Sequence, residues 1–291
     1  MTPSLDARAV ARGSGARGAR RLGRLGLAAA GLALAAALVS PYAVMVLTAL
    51  KPDAELRIAP PRLLPARWRL ENFGEVVADP AFQQWLRVSL LVAVGSTSLA
   101  VLAAVPAAYY TARHRFPGRT LFLLLVLVTQ MFSPTALVVG LYREFFELGL
   151  VDTYAALILT NAAFNLAFAI WILRAFFASI PRELEEAALV DGCSRLAAVA
   201  RVVLPLSRPG IATATTFAFI AAWNEYVVAL TLMSAAERRP LTVGITSYVT
   251  AYVQHWNLLF AAAVIAIVPV VLLFALIERH LVAGLTAGGV K

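Results

Sequence analysis

The chain has 291 residues, of which 61% are hydrophobic and only 14% are charged, whereas a soluble domain has roughly a quarter of its residues charged. This composition excludes an ordinary soluble protein and favours one that is embedded in a bilayer. The net charge of +9 does not indicate nucleic-acid binding, because it is distributed over a basic N-terminal tail and the short segments between apolar runs.

Six apolar segments are each long enough to cross the ~30 Å hydrocarbon core, which takes about 20 helical residues. They are dense in Leu, Val, Ala and Phe and lack the two-residue alternation of barrel strands, so we predict transmembrane helices. The predicted fold is therefore all-α and polytopic, with a basic cytoplasmic tail over residues 1–24 and one transmembrane domain over residues 25–291. The predicted spans are 25–50, 87–111, 120–141, 154–174, 209–233 and 258–278.

Lys and Arg are unequally divided between the two sides of this arrangement. The side that holds the N-terminal tail carries 16 of them, six in the tail itself, and the other side carries 9. By the positive-inside rule, both termini are expected in the cytoplasm. The first apolar run is too long for a cleaved signal peptide, so we interpret it as an uncleaved span whose basic tail meets anionic lipid.

Polar and aromatic side chains stand out in the spans and beside them. Trp68 and Trp85, at the first outer loop, fit interfacial anchors. Gln130 in the third span and Asn224 and Glu225 in the fifth need polar partners or a wet cavity. Glu225 lies 16 residues into its span, about 24 Å deep at 1.5 Å per residue. We expect a water-filled cavity beside it, where it either makes a structural hydrogen bond that fixes the helix or forms a polar contact near the entry of the solute.

A charge-dense interval, residues 179–205, separates the fourth and fifth spans on the cytoplasmic side. Pro181 fits a first helical position, and the carboxylates that follow it favour the positive end of a helix dipole. Gly192 can adopt the left-handed conformation that ends a helix, so we predict a helix from Pro181 to Asp191, about 16 Å long. Ser194 fits the cap of a second short helix that Pro205 ends.

Alanines cover one flank of the first of these helices and allow another protein to approach closely. A solvated amphipathic loop is the commoner fate of such an interval, but the spacing of its residues is specific. Glu186-Ala187-Ala188 is followed by three residues, Gly192, nine residues, Val202, one residue and Leu204-Pro205. This pattern resembles the EAA loop of ABC importer permeases, with Val202 where isoleucine is usual. The resemblance implies a coupling helix that docks on a cytoplasmic ATPase through Glu185, Glu186, Ala187, Ala188, Asp191, Gly192, Leu204 and Pro205.

Four further pieces resemble the maltose/carbohydrate type of these permeases. They are W-R-L-E-N-F at 68–73, L-V-D-T at 150–153, W-N-E-Y at 223–226 and the C-terminal segment 279–291. Together with the EAA loop they extend the resemblance over most of residues 68–291. Two positions depart from it, since Val88 stands where such permeases commonly have asparagine and Ala167 where they often have proline.

The resemblance implies a type I importer permease fold in a bacterial cytoplasmic (inner) membrane. It also implies a subunit that performs no chemistry itself, with ATP hydrolysed by a separate protein. The implied partners are ABC ATPase subunits, a second permease subunit, an extracytoplasmic solute-binding protein and membrane lipid, with neither nucleic acid nor a cofactor. The residues expected along the path of a sugar or oligosaccharide are Gln130, Asn224 and Glu225. The third outer loop is expected to touch the binding protein through Gly244, Tyr248 and Tyr252, although its aromatic residues fit an interfacial belt almost equally well.

Two other classes of membrane protein fit the sequence less well. An ion-coupled secondary transporter usually carries several ionisable groups in its spans, and Glu225 is the only charged residue that lies inside a span and not at its end here. A membrane enzyme is disfavoured because no protease or hydrolase motif occurs and the histidines (His114, His255, His280) are dispersed, which leaves no catalytic or metal site. A Walker A loop is excluded because neither of the two lysines precedes Ser or Thr within a glycine-rich loop. The identity of the sugar stays open, and so does a glycerol phosphate in its place.

Overall fold

The computed structural model of the chain describes residues 6–60, 62–252 and 254–287. Within these ranges the only strand-like pairing is an isolated antiparallel bridge between Val249 and Gln254, so the predicted all-α class is confirmed. The helices are α1 (Asp6–Ala49), α2 (Asp53–Leu56), α3 (Glu71–Ala78), α4 (Pro80–Arg113), α5 (Arg119–Thr129), α6 (Pro134–Glu147), α7 (Tyr154–Ser179), α8 (Arg182–Val190), α9 (Arg195–Ala198), α10 (Leu204–Leu206), α11 (Arg208–Trp223), α12 (Val227–Leu232), α13 (Leu241–Gly244) and α14 (Trp256–Ala287). A π-helix, Val199–Val203, joins α9 to α10, and 3-10 turns occur at Ala236–Arg238 and Ile245–Tyr248.

Four helical segments are individually long and apolar enough to cross a membrane. They are Gly26–Ala49 within α1, the whole of α4 and α7, and Trp256–Ile277 within α14. These four correspond to the predicted first, second, fourth and sixth spans. Two bent pairs, α5 with α6 and Arg195–Leu206 with α11, bring the number to six if each pair is counted as one span. The two ends of the chain, residues 1–5 and 288–291, lie outside the described residues.

The third predicted span, 120–141, is not a continuous helix. α5 ends at Thr129, α6 begins at Pro134, and the two axes meet at 95°. Pro134 has no N–H to donate and disfavours a helical conformation at Ser133, which is extended with ψ of 133°. The sequence predicted a span over 120–141 but not the break within it. Hydropathy identifies an apolar run and does not indicate the effect of a proline on the backbone.

Helices α4 and α7 form the centre of the body, and α11 packs against both. The faces that meet are built from small residues, among them Ala93 and Ala104 of α4 and Ala156 of α7, which are fully buried. Gly95 approaches Ile158 so closely that an added Cβ would lie 3.0 Å from the isoleucine Cδ1. Small residues permit this approach in lipid, where the hydrophobic effect gives helices no reason to associate.

The first span stands apart from this body. Every side chain from residue 26 to residue 44 is exposed, and Leu27 and Leu38 are 80% and 65% exposed. Only the end of α1 is held, since it packs on α14 and buries Ala49 in the same core as Ala261. The apolar face of the first span therefore has no partner within the described part of the chain.

Asn72, in the W-R-L-E-N-F segment, joins three helices at the outer end of the body. Its Nδ2 donates to the carbonyl oxygens of Ala49 at 2.7 Å and Lys51 at 2.9 Å. Asn257, at the start of α14, donates in turn to the Asn72 Oδ1 at 3.1 Å. Asn72 is fully buried, and a buried amide needs such partners. This segment thus fixes the end of α1 against α3 and α14.

Candidate functional site

The polar interval between the fourth and fifth spans forms two short helices, as the sequence predicted. The first, α8, runs from Arg182 to Val190, so Pro181 precedes it and the predicted helix was one residue too long at each end. Gly192 has φ of +85°, the left-handed conformation expected of it. Ser194 caps α9, because its Oγ accepts a hydrogen bond from the Ala197 N–H at 3.2 Å.

Pro205 does not end the second helix, contrary to the sequence prediction. The chain remains helical through the π-helix and α10 to Leu206, and the bend of 74° into α11 comes at Ser207. Proline interrupts the α-helical hydrogen-bond ladder, and here the wider π turn that precedes it takes up this interruption. Single π turns in helices frequently occur at functional sites.

Glu185 binds α8 to the C-terminal end of α4. Its Oε2 lies 3.1 Å from the Arg113 Nε, and its Oε1 accepts a hydrogen bond from the Tyr109 hydroxyl. Arg113 also donates from Nη1 to the Ile180 carbonyl oxygen at 2.9 Å. The two charged side chains are only 7% and 16% exposed, and loss of one partner of such a buried pair typically costs about 3–5 kcal/mol. The resemblance implied that Glu185 is one of the docking residues. In the structure its side chain contacts α4 within the protein.

The remaining predicted coupling residues divide between surface and interior. Glu186, Ala187, Asp191 and Gly192 are exposed, Leu204 and Pro205 are half-buried, and Ala188 is buried. Exposed apolar side chains accompany them, with Val190 at 87% and Leu196 at 83%. The sequence reading missed these two because it concentrated on the alanines. Exposed apolar groups clustered beside charged ones are typical of a protein-docking surface.

Glu225 lies in a break of the fifth span and has backbone partners. α11 ends at Trp223 and α12 begins at Val227, so the continuous helix predicted over 209–233 was wrong. The Glu225 carboxylate accepts hydrogen bonds from the N–H groups of Val228 at 2.7 Å and Ala229 at 2.9 Å. Because the first N–H groups of a helix have no intrahelical acceptor, this carboxylate caps α12. Of the two expectations for Glu225, the structural hydrogen bond matches its geometry.

The three residues predicted along a translocation path line different places. Asn224 is exposed and borders a cavity of about 390 Å³ together with Trp223 and Thr242. Glu225 borders a separate cavity of about 10 Å³, roughly the space that one water molecule needs. Gln130 lies in the break between α5 and α6, where its Nε2 donates to the Phe164 carbonyl oxygen at 3.2 Å. The cavity that Asn224 borders is large enough for a sugar unit.

The third outer loop packs against the start of α4. Gly244 is buried, and a Cβ there would lie 2.2 Å from the Trp85 Cδ2. Trp85 is 7% exposed and meets the Tyr248 ring edge-on at 5.9 Å, so its prediction as an interfacial anchor was wrong. Burial and the hydrogen bond from its hydroxyl to Asp79 Oδ2, 2.8 Å long, raise the pKa of Tyr248 above its ordinary value. Tyr252, by contrast, is 98% exposed.

Asp152 fixes the other side of this loop, a role that the sequence reading missed. It has φ of +62°, and its Oδ1 accepts hydrogen bonds from the N–H groups of Ser234 at 3.1 Å and Ala235 at 3.2 Å. Arg238 lies 3.6 Å from the other carboxylate oxygen. The L-V-D-T segment therefore anchors the third outer loop to the start of α7. The signal in the sequence was an aspartate directly before a helix-capping threonine.

The paired broken spans and the charged helical element between two of them fit the class of helical membrane proteins to which permeases belong. Residues 98–287 match the family described as binding-protein-dependent transport system inner membrane component. The chain belongs to this family, which confirms the resemblance seen in its sequence. It is a permease subunit of an ABC importer, and an ion-coupled secondary transporter is not supported.

Relatives and a solved structure agree with this assignment. The chain is 38% identical over 251 residues to the sulfoquinovosyl glycerol transport system permease protein SmoH of Agrobacterium fabrum, covering 86% of this chain and 88% of that protein. It is 34% identical over 254 residues to the trehalose/maltose transport system permease protein MalG of Thermococcus litoralis, covering 86% and 91%. A chain of a bacterial ABC transporter that imports the acidic polysaccharide alginate has the same fold, with a TM-score of 0.77, 24% identity and coverage of 96% and 99%.

Proposed function

We propose that this permease carries a sugar or a short oligosaccharide into the cell. The relatives named above are permeases for a glycosylated glycerol and for disaccharides, and they share most of their length with this chain. The 390 Å³ cavity at the break of the fifth span has the features that a sugar requires, namely an exposed amide from Asn224, a hydroxyl from Thr242 and an aromatic side chain from Trp223. Transport of one such sugar is the activity to test first.

Residues 179–205, which we call the coupling loop, support the ATP-driven part of this proposal. Within it, α8 is tied to α4 by Glu185 while Glu186 and Ala187 stay exposed. A helix held firmly on one face and free on the other suits docking of a separate ATPase, whose movement would be passed to the spans. Glu186, Ala187, Asp191 and Gly192 then form the docking face, and Leu204 and Pro205 support it where the helix bends toward α11. The permease itself uses no cofactor and performs no chemistry.

A second permease subunit accounts for the first span. The apolar side chains of residues 26–44 are exposed on all sides of the helix. This span therefore has surface available for contact with another chain. We assign this face to a second permease subunit and to lipid. The Lys and Arg distribution places the basic tail, the coupling loop and both termini in the cytoplasm, so that the third outer loop faces an extracytoplasmic solute-binding protein. Within that loop Tyr252 is the residue most available for contact, because Gly244 and Tyr248 are packed against α3 and α4.

Reconstitution tests the proposal directly. The permease is purified with a candidate ATPase and a candidate second permease from the same organism and placed in liposomes. A candidate solute-binding protein is supplied with a panel of disaccharides, glycosylated glycerols and glycerol phosphates. ATP hydrolysis stimulated by one loaded binding protein, with uptake of the same solute, is the expected result. Uptake driven by an ion gradient without ATP would contradict the assignment.

A further inference from the structure

A cavity of about 420 Å³ opens between α8, α9 and the C-terminal end of α4. Three guanidinium groups line it, those of Arg113, Arg182 and Arg195, together with two carboxylates, those of Glu185 and Glu186. Arg113 is the last residue of α4, the helix of the second span. The wall of the cavity that it forms therefore lies outside the EAA loop. The cavity connects the coupling loop with a span that lies some 70 residues earlier in the chain.

The positive charges in this cavity are incompletely paired. Glu185 is taken by Arg113 at 3.1 Å, whereas Arg182 and Arg195 form no ion pair with any residue of the described ranges. The Arg113 side chain is 93% buried, since 7% is exposed, and its Nη2 has no hydrogen-bond partner there. A buried donor without an acceptor is costly, the more so when it is charged. The cavity therefore offers charged donors to an anion that comes from outside the chain.

The rim of the cavity indicates where this anion comes from. Leu196 and Leu189 line its mouth and are 83% and 39% exposed, and Val190, also on α8, is 87% exposed. Arginine within a border of apolar side chains is typical of the centre of a protein–protein interface, from which water is excluded. A free inorganic anion gains nothing from such a border.

We propose that an acidic side chain of the ATPase subunit enters this cavity and pairs with Arg195 and Arg113. The proposal rests on the proposed function, in which the ATPase docks at α8, and it adds the end of α4 to the docking surface. Arg195 is exposed and meets the incoming carboxylate first, whereas the Arg113 Nη2 is buried without a hydrogen-bond partner and is reached only when the cavity opens further. Glu185 lies 3.1 Å from the Arg113 Nε and is not displaced. Movement of the ATPase then acts on the second span directly as well as on the fourth and fifth spans through the coupling loop.

Two arginines of one cytoplasmic segment provide a matched test. Arg195 and Arg201 are both exposed, but only Arg195 lines the cavity. The permease is purified with its ATPase and second permease, and the amount of ATPase retained is measured. Arg195→Glu is expected to retain about tenfold less ATPase, because a like charge placed opposite the carboxylate costs several kcal/mol. Arg201→Glu is expected to retain the normal amount, and an equal loss in both variants overturns the proposal.

A further permease variant separates this proposal from the proposed function. Glu186→Lys disturbs the exposed face of α8. If Glu186→Lys loses the ATPase while Arg195→Glu keeps it, the cavity proposal falls and the docking of α8 stands. If neither variant loses it, both fall. Restoration of Arg195→Glu by an acidic-to-arginine substitution on the ATPase identifies the partner residue and supports the pairing.

A free anion is the other source of the same chemistry, and inorganic phosphate is the probe for it. The melting temperature of the purified permease is measured with and without phosphate, for the unsubstituted protein and for Arg195→Gln. No difference between the two proteins is expected. A rise in melting temperature that Arg195→Gln abolishes would assign the cavity to a small phosphorylated ligand and overturn the ATPase as its occupant.

Discussion

Glu225 and Val228 are joined by a hydrogen bond of 2.7 Å from the valine N–H to the glutamate Oε1. The second carboxylate oxygen accepts from Ala229 at 2.9 Å, so one side chain satisfies two of the N–H groups that the start of α12 leaves unpaired. A negative charge is also stabilised at this end of a helix by the helix dipole. The charge that stood out in the sequence thus stabilises the break in the fifth span.

Substitution of Glu225 is expected to separate its shape from its charge. Glu225→Gln keeps one carbonyl acceptor for the start of α12 and should be tolerated. Glu225→Leu leaves two N–H groups without acceptors, at about 1–3 kcal/mol each, and should impair uptake. Asn224→Leu, which changes the larger cavity, should impair uptake without loss of thermal stability. The measurement is uptake against sugar concentration at matched membrane abundance, and normal transport with leucine at both positions would contradict the cavity assignment.

The orientation in the membrane is testable by chemical labelling. Arg195 and Glu237 are both exposed, and the Lys and Arg distribution predicts that they lie on opposite sides of the bilayer. Single cysteines at these positions, introduced into a Cys193→Ser background, should react from opposite faces. In intact cells an impermeant maleimide should label the cysteine at 237 only, and permeabilised cells serve as the control for the other. Labelling of both in intact cells would contradict the six-span arrangement.

Gly192→Val should uncouple the transporter while leaving it inserted. At φ of +85° a β-branched residue is strained by roughly 1–2 kcal/mol, although no neighbouring atom lies within 4 Å of the added Cβ. The strain therefore acts on the turn after α8 and not on the packing. Gly192→Asn is the matched control, because asparagine tolerates positive φ. Uptake should be lost with valine and kept with asparagine, and normal uptake with valine would argue against a coupling role for this turn.

Gly244 and Gly74 form a second matched pair. A methyl group at Gly244 would lie 2.2 Å from the Trp85 ring, whereas one at Gly74 meets nothing within 4 Å. Gly244→Ala should destabilise the protein by about 1–3 kcal/mol, the usual cost of overpacking. Gly74→Ala should be neutral or slightly stabilising, since alanine favours a helix. Thermal unfolding in detergent measures both, and equal stability of the two variants would show that the third outer loop does not pack on α4 in solution.

Tyr252 and Tyr248 should respond differently in an assay with the binding protein. Tyr252 is 98% exposed, so Tyr252→Ala should lower ATP hydrolysis stimulated by the loaded binding protein and spare the basal rate. Tyr248→Phe removes only the internal hydrogen bond to Asp79, at about 1 kcal/mol, and should lower thermal stability with stimulation intact. Unchanged stimulation in Tyr252→Ala would favour an interfacial belt.

The fold was largely predictable because hydrocarbon thickness and hydropathy decide which segments cross a bilayer. The coupling loop was predictable because Gly192 and Ser194 act through local backbone geometry, which a short stretch of sequence contains. The breaks in the third and fifth spans were not predicted. Pro134 stands in an apolar run, and the role of Glu225 depends on N–H groups that are free only because the helix is broken.

Contacts between distant segments account for the other differences. Trp85 was read as an interfacial residue because its own neighbours gave no hint of Gly244, more than 150 residues later. Glu185 was read as a docking residue for the same reason, since Arg113 lies on another span. In both cases the side chain is held by a partner that local periodicity does not indicate.

The joint at Asn72 has a consequence for how the protein is made. It connects the end of α1 to Asn257 at the start of α14. The contacts that hold the end of α1 are therefore complete only after α14 has been synthesised. Until α14 has been synthesised, the amide of Asn72 lacks one of its partners and Ala49 lacks part of its cover. We expect nascent chains that stop short of α14 to be degraded by membrane proteases. Chains that include α14 should resist this degradation.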